Sequence, residues 1–225
     1  MRSVLTQGHA QNVRDFILNF GLDASDKKVL DFTYGKGGLW EIEYPYKCEL
    51  IKCDAVPTEP NVHKKDLLVS DYSDLGPVDA AVYDPPYLYG REGTDQSGKQ
   101  KNGKNEIIPA AQQGANSWAA EGQLGRFMTN ESQEVFIERV KGVNRAALQC
   151  MKKDALLMVK VQDTRNGLLV PNQIMCVLNL TNFGYYWCAP YVKSGGQTWK
   201  HLCETSHGFW LFFKLLKDGK QKSLT

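Results

Sequence analysis

The sequence predicts an α/β chain built on one mostly parallel sheet of about seven strands, with helices between them and the last pair antiparallel. Three observations predict it. Short apolar runs of strand length alternate with stretches of helical spacing. Acidic residues close several of the runs, with Asp31, Asp54 and Asp84 each at a strand end. A glycine-rich turn follows the first of them. Ligands of open α/β sheets bind at the carboxyl ends of the strands, so acids placed there mark one crevice.

The elements follow in order. Residues 11–22 carry Val13, Phe16, Ile17 and Phe20 at helical spacing, and Gly21 fits the helix end. Lys28, Val29 and Leu30 read as a short buried strand. It runs into Asp31-Phe32-Thr33-Tyr34-Gly35-Lys36-Gly37-Gly38, a turn whose glycines let backbone approach a ligand closely. Residues 48–53 form a second strand ending at Asp54, where nucleotide-binding sheets place a partner for a ribose hydroxyl. A third strand lies near residues 61–65 and is followed by Asp66, Asp71 and Asp74, which periodicity does not separate. Residues 78–83 make the fourth strand and deliver Asp84.

Residues 88–130 break the pattern and are rich in Gly, Gln, Asn and Lys. A loop this long in a compact domain is functional or disordered, and it reads here as a lid or substrate-side segment. Trp118, Arg126 and Phe127 are its candidate substrate contacts. Regular structure resumes with a helix over 134–151, a central strand over 155–161, a helix over 168–183 and strands over 185–192 and 208–216. Ser194-Gly195-Gly196 signals a turn within 193–207.

Composition sets bounds. A chain of 225 residues suits one domain with a substantial core. No apolar run approaches the roughly eighteen residues of a membrane span, and the first residues lack the apolar core of a secretion signal. The six cysteines form no Cys-x-x-Cys pair and the four histidines no ligand spacing, so the expectation is a cytoplasmic protein with reduced thiols and no metal. Lys and Arg total 27 against 25 Asp and Glu. That net of +2 is too small for strong non-specific nucleic-acid binding. Lys193 and Lys200, with Trp199 and His201, form a local basic and aromatic group that suits phosphates and an unstacked base.

The most specific signal is Asp84-Pro85-Pro86-Tyr87 at the end of the fourth strand. Such a run arises by chance in about one chain in a thousand of this length, so a bland proline turn is the poorer explanation. An exocyclic base amine is a weak nucleophile because its lone pair is delocalised into the ring. The Asp84 carboxylate and the Pro85 carbonyl would accept its two N–H groups and draw the nitrogen toward tetrahedral geometry. The prolines fix φ and offer no N–H. Tyr87 would stack on the base, worth about 1–3 kcal/mol, which offsets part of the cost of flipping it from a duplex.

With Asp31, Gly35 and Gly37 upstream, this tetrapeptide resembles the S-adenosylmethionine-dependent DNA amino-methyltransferases, the adenine-N6 and cytosine-N4 enzymes, in the γ order of motifs. The resemblance implies a single-domain, Rossmann-like class I methyltransferase: a mostly parallel seven-stranded sheet with a final antiparallel strand and helices on both faces. It implies S-adenosylmethionine as cofactor, held by Asp31, Thr33, Tyr34, Gly35, Gly37, Asp54 and Asp66, with Asp71 the second choice to Asp66. It implies Asp84, Pro85, Pro86 and Tyr87 as the catalytic loop, and Asp in first place points to adenine N6. The family's cofactor loop has Pro-Phe where this chain has Phe32-Thr33, and that Phe packs near the catalytic loop. No separate target-recognition domain is expected within 1–225. DNA recognition would then fall to 88–130 and 193–207, with Lys193, Trp199, Lys200 and Arg126 as contacts, or to a partner subunit or homodimer. RNA adenine-N6 or DNA cytosine-N4 methylation is the alternative chemistry. A non-catalytic nucleic-acid-binding or regulatory module on the same fold is the alternative of another class.

Overall fold

The structure, a computed structural model, describes residues 9–41, 46–85, 100–101, 107–108, 133–162, 172–191 and 208–216. Seven strands form one sheet: β1 (Lys28–Asp31), β2 (Glu49–Asp54), β3 (His63–Lys64), β4 (Val78–Tyr83), β7 (Met151–Gln162), β8 (Phe183–Tyr191) and β9 (Gly208–Leu215). Their order is β3-β2-β1-β4-β7-β9-β8. β1 pairs in parallel with β2 and β4, and β4 with β7, whereas β9 is antiparallel to both β7 and β8. This is the predicted layout, including the antiparallel final strand. A separate two-stranded hairpin, β5 (Gln100–Lys101) with β6 (Ile107–Ile108), lies inside the stretch read as irregular. Two residues per strand are too few for a sequence pattern to register.

Strand alternation divides the core between the two faces. Leu30, Ile51, Cys53, Ala81, Tyr83, Leu157 and Val159 belong to one apolar cluster. That cluster is completed by Phe136, Val140, Val143 and Ala147 from α2 (Gln133–Cys150) and by Met175 and Cys176 from α3 (Asn172–Asn179). Their neighbours Val29, Ala80, Val82 and Met158 point the other way and pack with Trp210 and Phe212 of β9. There they meet Val13, Phe16 and Ile17 of α1 (His9–Asn19). Helices therefore cover both faces.

Element ends shift for local reasons. α1 stops at Asn19 because Gly21 turns left-handed at φ 64°, and the Leu22 N–H reaches back to the Ile17 carbonyl at 2.9 Å. β7 begins earlier than its apolar run, since the polar stretch Lys152-Lys153-Asp154 is still strand. The register against β4 slips there, from Val78↔Met151 to Ala80↔Leu156, and Asp154 takes a positive φ of 63°. α3 ends at Asn179 because Phe183 already pairs with Leu215 in the sheet. Cys48, Cys53, Cys150, Cys176 and Cys188 are free thiols. Among the described residues, no helix is long and apolar enough to cross a membrane.

Gly142 marks the closest approach of α2 to the loop after β3. A Cβ there would lie 2.2 Å from the Leu67 carbonyl oxygen. Backbone cannot yield as a side chain does, so the overlap outweighs the gain of about 1 kcal/mol that alanine brings to a helix interior. Gly142→Ala is expected to lower stability by about 1–3 kcal/mol, read as a fall of several degrees in the thermal midpoint. An unchanged or raised midpoint would show that the loop moves freely.

Candidate active site

The register of the parallel strands assembles the site. Asp31 is level with Val82, and Val82 with Met158. Two residues beyond Met158 stands Lys160, and two beyond Val82 stands Asp84, so alternation carries both onto the face of Asp31. Asp31, Asp84 and Lys160 thus gather where β1, β4 and β7 end, on the side covered by α1.

Asp31 is fully buried. Its Oδ1 accepts the Thr33 N–H at 2.8 Å and its Oδ2 the Trp40 indole N–H at 2.6 Å. Burial pushes its pKa up to about 7 against those two hydrogen bonds, and the nearby charges of Asp84 and Asp54 push the same way. Asp54, also buried, accepts the Gly35 N–H on Oδ2 at 2.9 Å and the Val56 N–H on Oδ1 at 2.8 Å. The glycine turn is pinned on its other side by the Tyr34 N–H, which donates to the Cys53 carbonyl at 2.9 Å. Gly35 and Gly37 take φ of 58° and 77°, and a Cβ on Gly37 would sit 2.7 Å from the Tyr34 hydroxyl. The Tyr34 ring also lies 4.5 Å beneath the Lys52 ammonium.

This arrangement has a chemical sign. Residues 32–40 run in turns, so β1 does not lead directly into a helix whose N-terminus could cradle a phosphate. The Thr33 and Gly35 amides are already engaged by Asp31 and Asp54. The strand ends gather three carboxyl groups, Asp31, Asp54 and Asp84, beside the Lys160 ammonium. A phosphate would meet repulsion here, whereas a ligand with cationic groups and hydroxyls matches the charge and the acceptors.

The two loops are joined directly. The Asp84 N–H donates to the Thr33 hydroxyl at 2.8 Å, and the Phe32 N–H to the Val82 carbonyl at 3.0 Å. Thr33 therefore links the glycine loop to the segment that follows β4 by a hydrogen bond. Phe32 turns into the opposite core and meets Tyr72 edge-on at 5.5 Å. Asp84 is also bound by Lys160, whose Nζ stands 2.6 Å from Oδ2. The Lys160 side chain is only 8% exposed and that of Asp84 21%. Pro85 follows, buried.

Asp66 stands at the start of the turn after β3. Its carboxylate accepts the Leu68 N–H at 2.9 Å and its own N–H donates to the Ser70 hydroxyl at 2.7 Å. Asp71 is exposed and held by Ser73, whose hydroxyl and amide hold its pKa below the usual value. A pocket of about 250 Å³ between this turn and α2, lined by Leu67, Asp71, Arg145 and Gln149 among others, includes none of Asp31, Asp54 and Asp84. Pro86, Tyr87, Trp118, Arg126, Phe127, Lys193, Trp199, Lys200 and His201 lie outside the described residues. Sequence reasoning did not single out Trp40 or Lys160. Lys160 carried a usable signal, a lone cation inside an apolar strand; Trp40 carried none, since its contact depends on how the turn folds.

No protein-family model matches the chain, and no curated protein sequence matches it. Solved structures do. The N-methyltransferase NodS from Bradyrhizobium japonicum WM9 superposes with a TM-score of 0.50 at 11% identity, over 93% of this chain and 94% of that one. A structure concerning conversion of a disulfide bond into a thioacetal group during echinomycin biosynthesis gives 0.51 at 9% identity, over 94% and 83%. TrmN from Thermus thermophilus gives 0.48 at 10% identity over 92% of this chain, which spans 48% of TrmN. The chain has the Rossmann-like fold of methyltransferases. At these identities the likeness is one of fold.

The buried Asp31 carboxyl generates a pH dependence. Its native pKa is raised from 3.8 to about 7, so the native state holds a proton that the unfolded chain has released. Its stabilising contribution is complete below the unfolded pKa and is lost as pH rises through about 7, up to a few kcal/mol. Thermal unfolding of ligand-free protein should show this fall between about pH 4 and 7, and Asp31→Asn should flatten it. An equal slope in wild type and variant would mean that Asp31 is already ionised in the native state.

Proposed function

We propose that this protein is an S-adenosylmethionine-dependent methyltransferase that acts on an exocyclic base amine, with adenine N6 in DNA as the acceptor. The observation that carries the proposal is Asp84: an ionisable acceptor at the end of β4, hydrogen-bonded to the glycine loop through Thr33 and set beside the buried Asp31. The methyltransferase fold and the carboxylate-lined strand ends support the cofactor, which carries a sulfonium, an ammonium and a ribose diol but no phosphate. Asp31 would face its ammonium, Asp54 its ribose, and Asp66 its adenine. A cation beside Asp31 would also relieve the cost of ionising that carboxyl.

In the reaction the acceptor nitrogen forms a bond to the methyl carbon while the carbon–sulfur bond breaks and its electron pair returns to sulfur. The nitrogen gains a positive charge and then releases a proton to solvent. The sulfonium is already a good leaving group, so the protein supplies position and electrostatics. Asp84 and the Pro85 carbonyl would accept the two amine hydrogens, hold the lone pair toward the methyl and stabilise the charge that develops on nitrogen. Tyr87 would stack on the flipped base.

Methyl transfer from labelled S-adenosylmethionine to unmethylated duplex DNA, single-stranded DNA and total RNA tests this, with mass spectrometry of the modified nucleoside. N6-methyladenine in DNA is expected. Label on RNA alone would replace the substrate, and no label on any of them would remove the proposal. Asp84→Ala should lower turnover by about 10²–10³-fold or more while cofactor affinity stays within about threefold. A folded Asp84 variant that loses the cofactor would place Asp84 in the cofactor site instead.

A further inference from the structure

Lys160 occupies a costly place. It lies on a central strand between the fully buried Val159 and Val161 and is itself 6% exposed. A lysine ammonium is strongly hydrated. Pairing it with a carboxylate in a buried site seldom repays the loss of that hydration, and an apolar side chain would serve the sheet as well or better. It forms an ion pair with Asp84 at 2.6 Å.

The geometry of that pair is specific. Lys160 takes Oδ2, and the Thr33 hydroxyl takes the Asp84 backbone N–H. Among the described residues, Oδ1 has no donor. Two anchors thus fix the carboxylate's backbone and one of its oxygens, and leave the other oxygen as the acceptor on offer.

We infer that Lys160 is a positioning residue for methyl transfer: it holds the Asp84 carboxyl in one orientation, with Oδ1 free for the acceptor amine. This rests on the role proposed above for Asp84. Lys160 sets that carboxylate's direction without needing to touch either substrate.

The test compares Lys160→Met, Lys160→Arg and Asp84→Asn in the full chain, with the acceptor that the wild type methylates. Lys160→Met should lower kcat about 10- to 100-fold, with KM for the acceptor and affinity for S-adenosylhomocysteine within about threefold. Lys160→Arg keeps a cationic donor within reach of Asp84 and should restore most of kcat. Asp84→Asn inactive with Lys160→Met unchanged would overturn this inference alone. Asp84→Asn active, or no transfer by wild type, would overturn the role of Asp84 and this inference with it. If Lys160→Met does not fold, Lys160→Arg decides: folded but as slow as Asp84→Asn, it would reject the positioning role.

Discussion

The crevice depends on one constraint, the pairing of β4 between β1 and β7. β4 is parallel to both, and its partners are fixed: Val82 is level with Asp31 on one side and with Met158 on the other. Parallel pairing puts the carboxyl ends of all three strands on one edge. Alternation then decides which side chains share a face. A slip of one residue would turn Asp84 into the core that now holds Tyr83 and would bring Tyr83 or Pro85 level with Lys160. The pattern that protects this register is apolar on both sides of the sheet. Ala80 and Val82 fill one core while Ala81 and Tyr83 fill the other.

Most of the architecture was legible because parallel strands buried on both faces leave continuous apolar runs. The fourth strand matched its run residue for residue, over Val78–Tyr83. Boundaries failed where a strand's exposed end is polar, as in Lys152-Lys153-Asp154, or where a helix yields to strand pairing, as at Phe183. The tetrapeptide and the acids at the strand ends were legible as types at positions. Their partners were not. Which donor reaches Asp31, and which cation reaches Asp84, are facts of three dimensions. Trp40 is nine residues from Asp31 and Lys160 seventy-six from Asp84.

The glycine loop shows how little of a motif's chemistry lies in its letters. A Gly-x-Gly turn after a strand is commonly a phosphate cradle, because its amides point outward. Here the amides of Thr33 and Gly35 are taken up by the carboxyl groups of Asp31 and Asp54, so they do not point outward to a ligand. Thr33 supplies the hydrogen bond that couples this turn to the end of β4.

The sheet ends on one side in β3, a strand of two residues, His63 and Lys64, both exposed. An edge this short offers an approaching chain only a couple of backbone groups, and it offers them beside a charged side chain. Growth of the sheet across that boundary would gain almost nothing in pairing and would crowd an ammonium. The fold therefore closes this border of the sheet by brevity, and the chain can crowd with its own copies there without zipping into them.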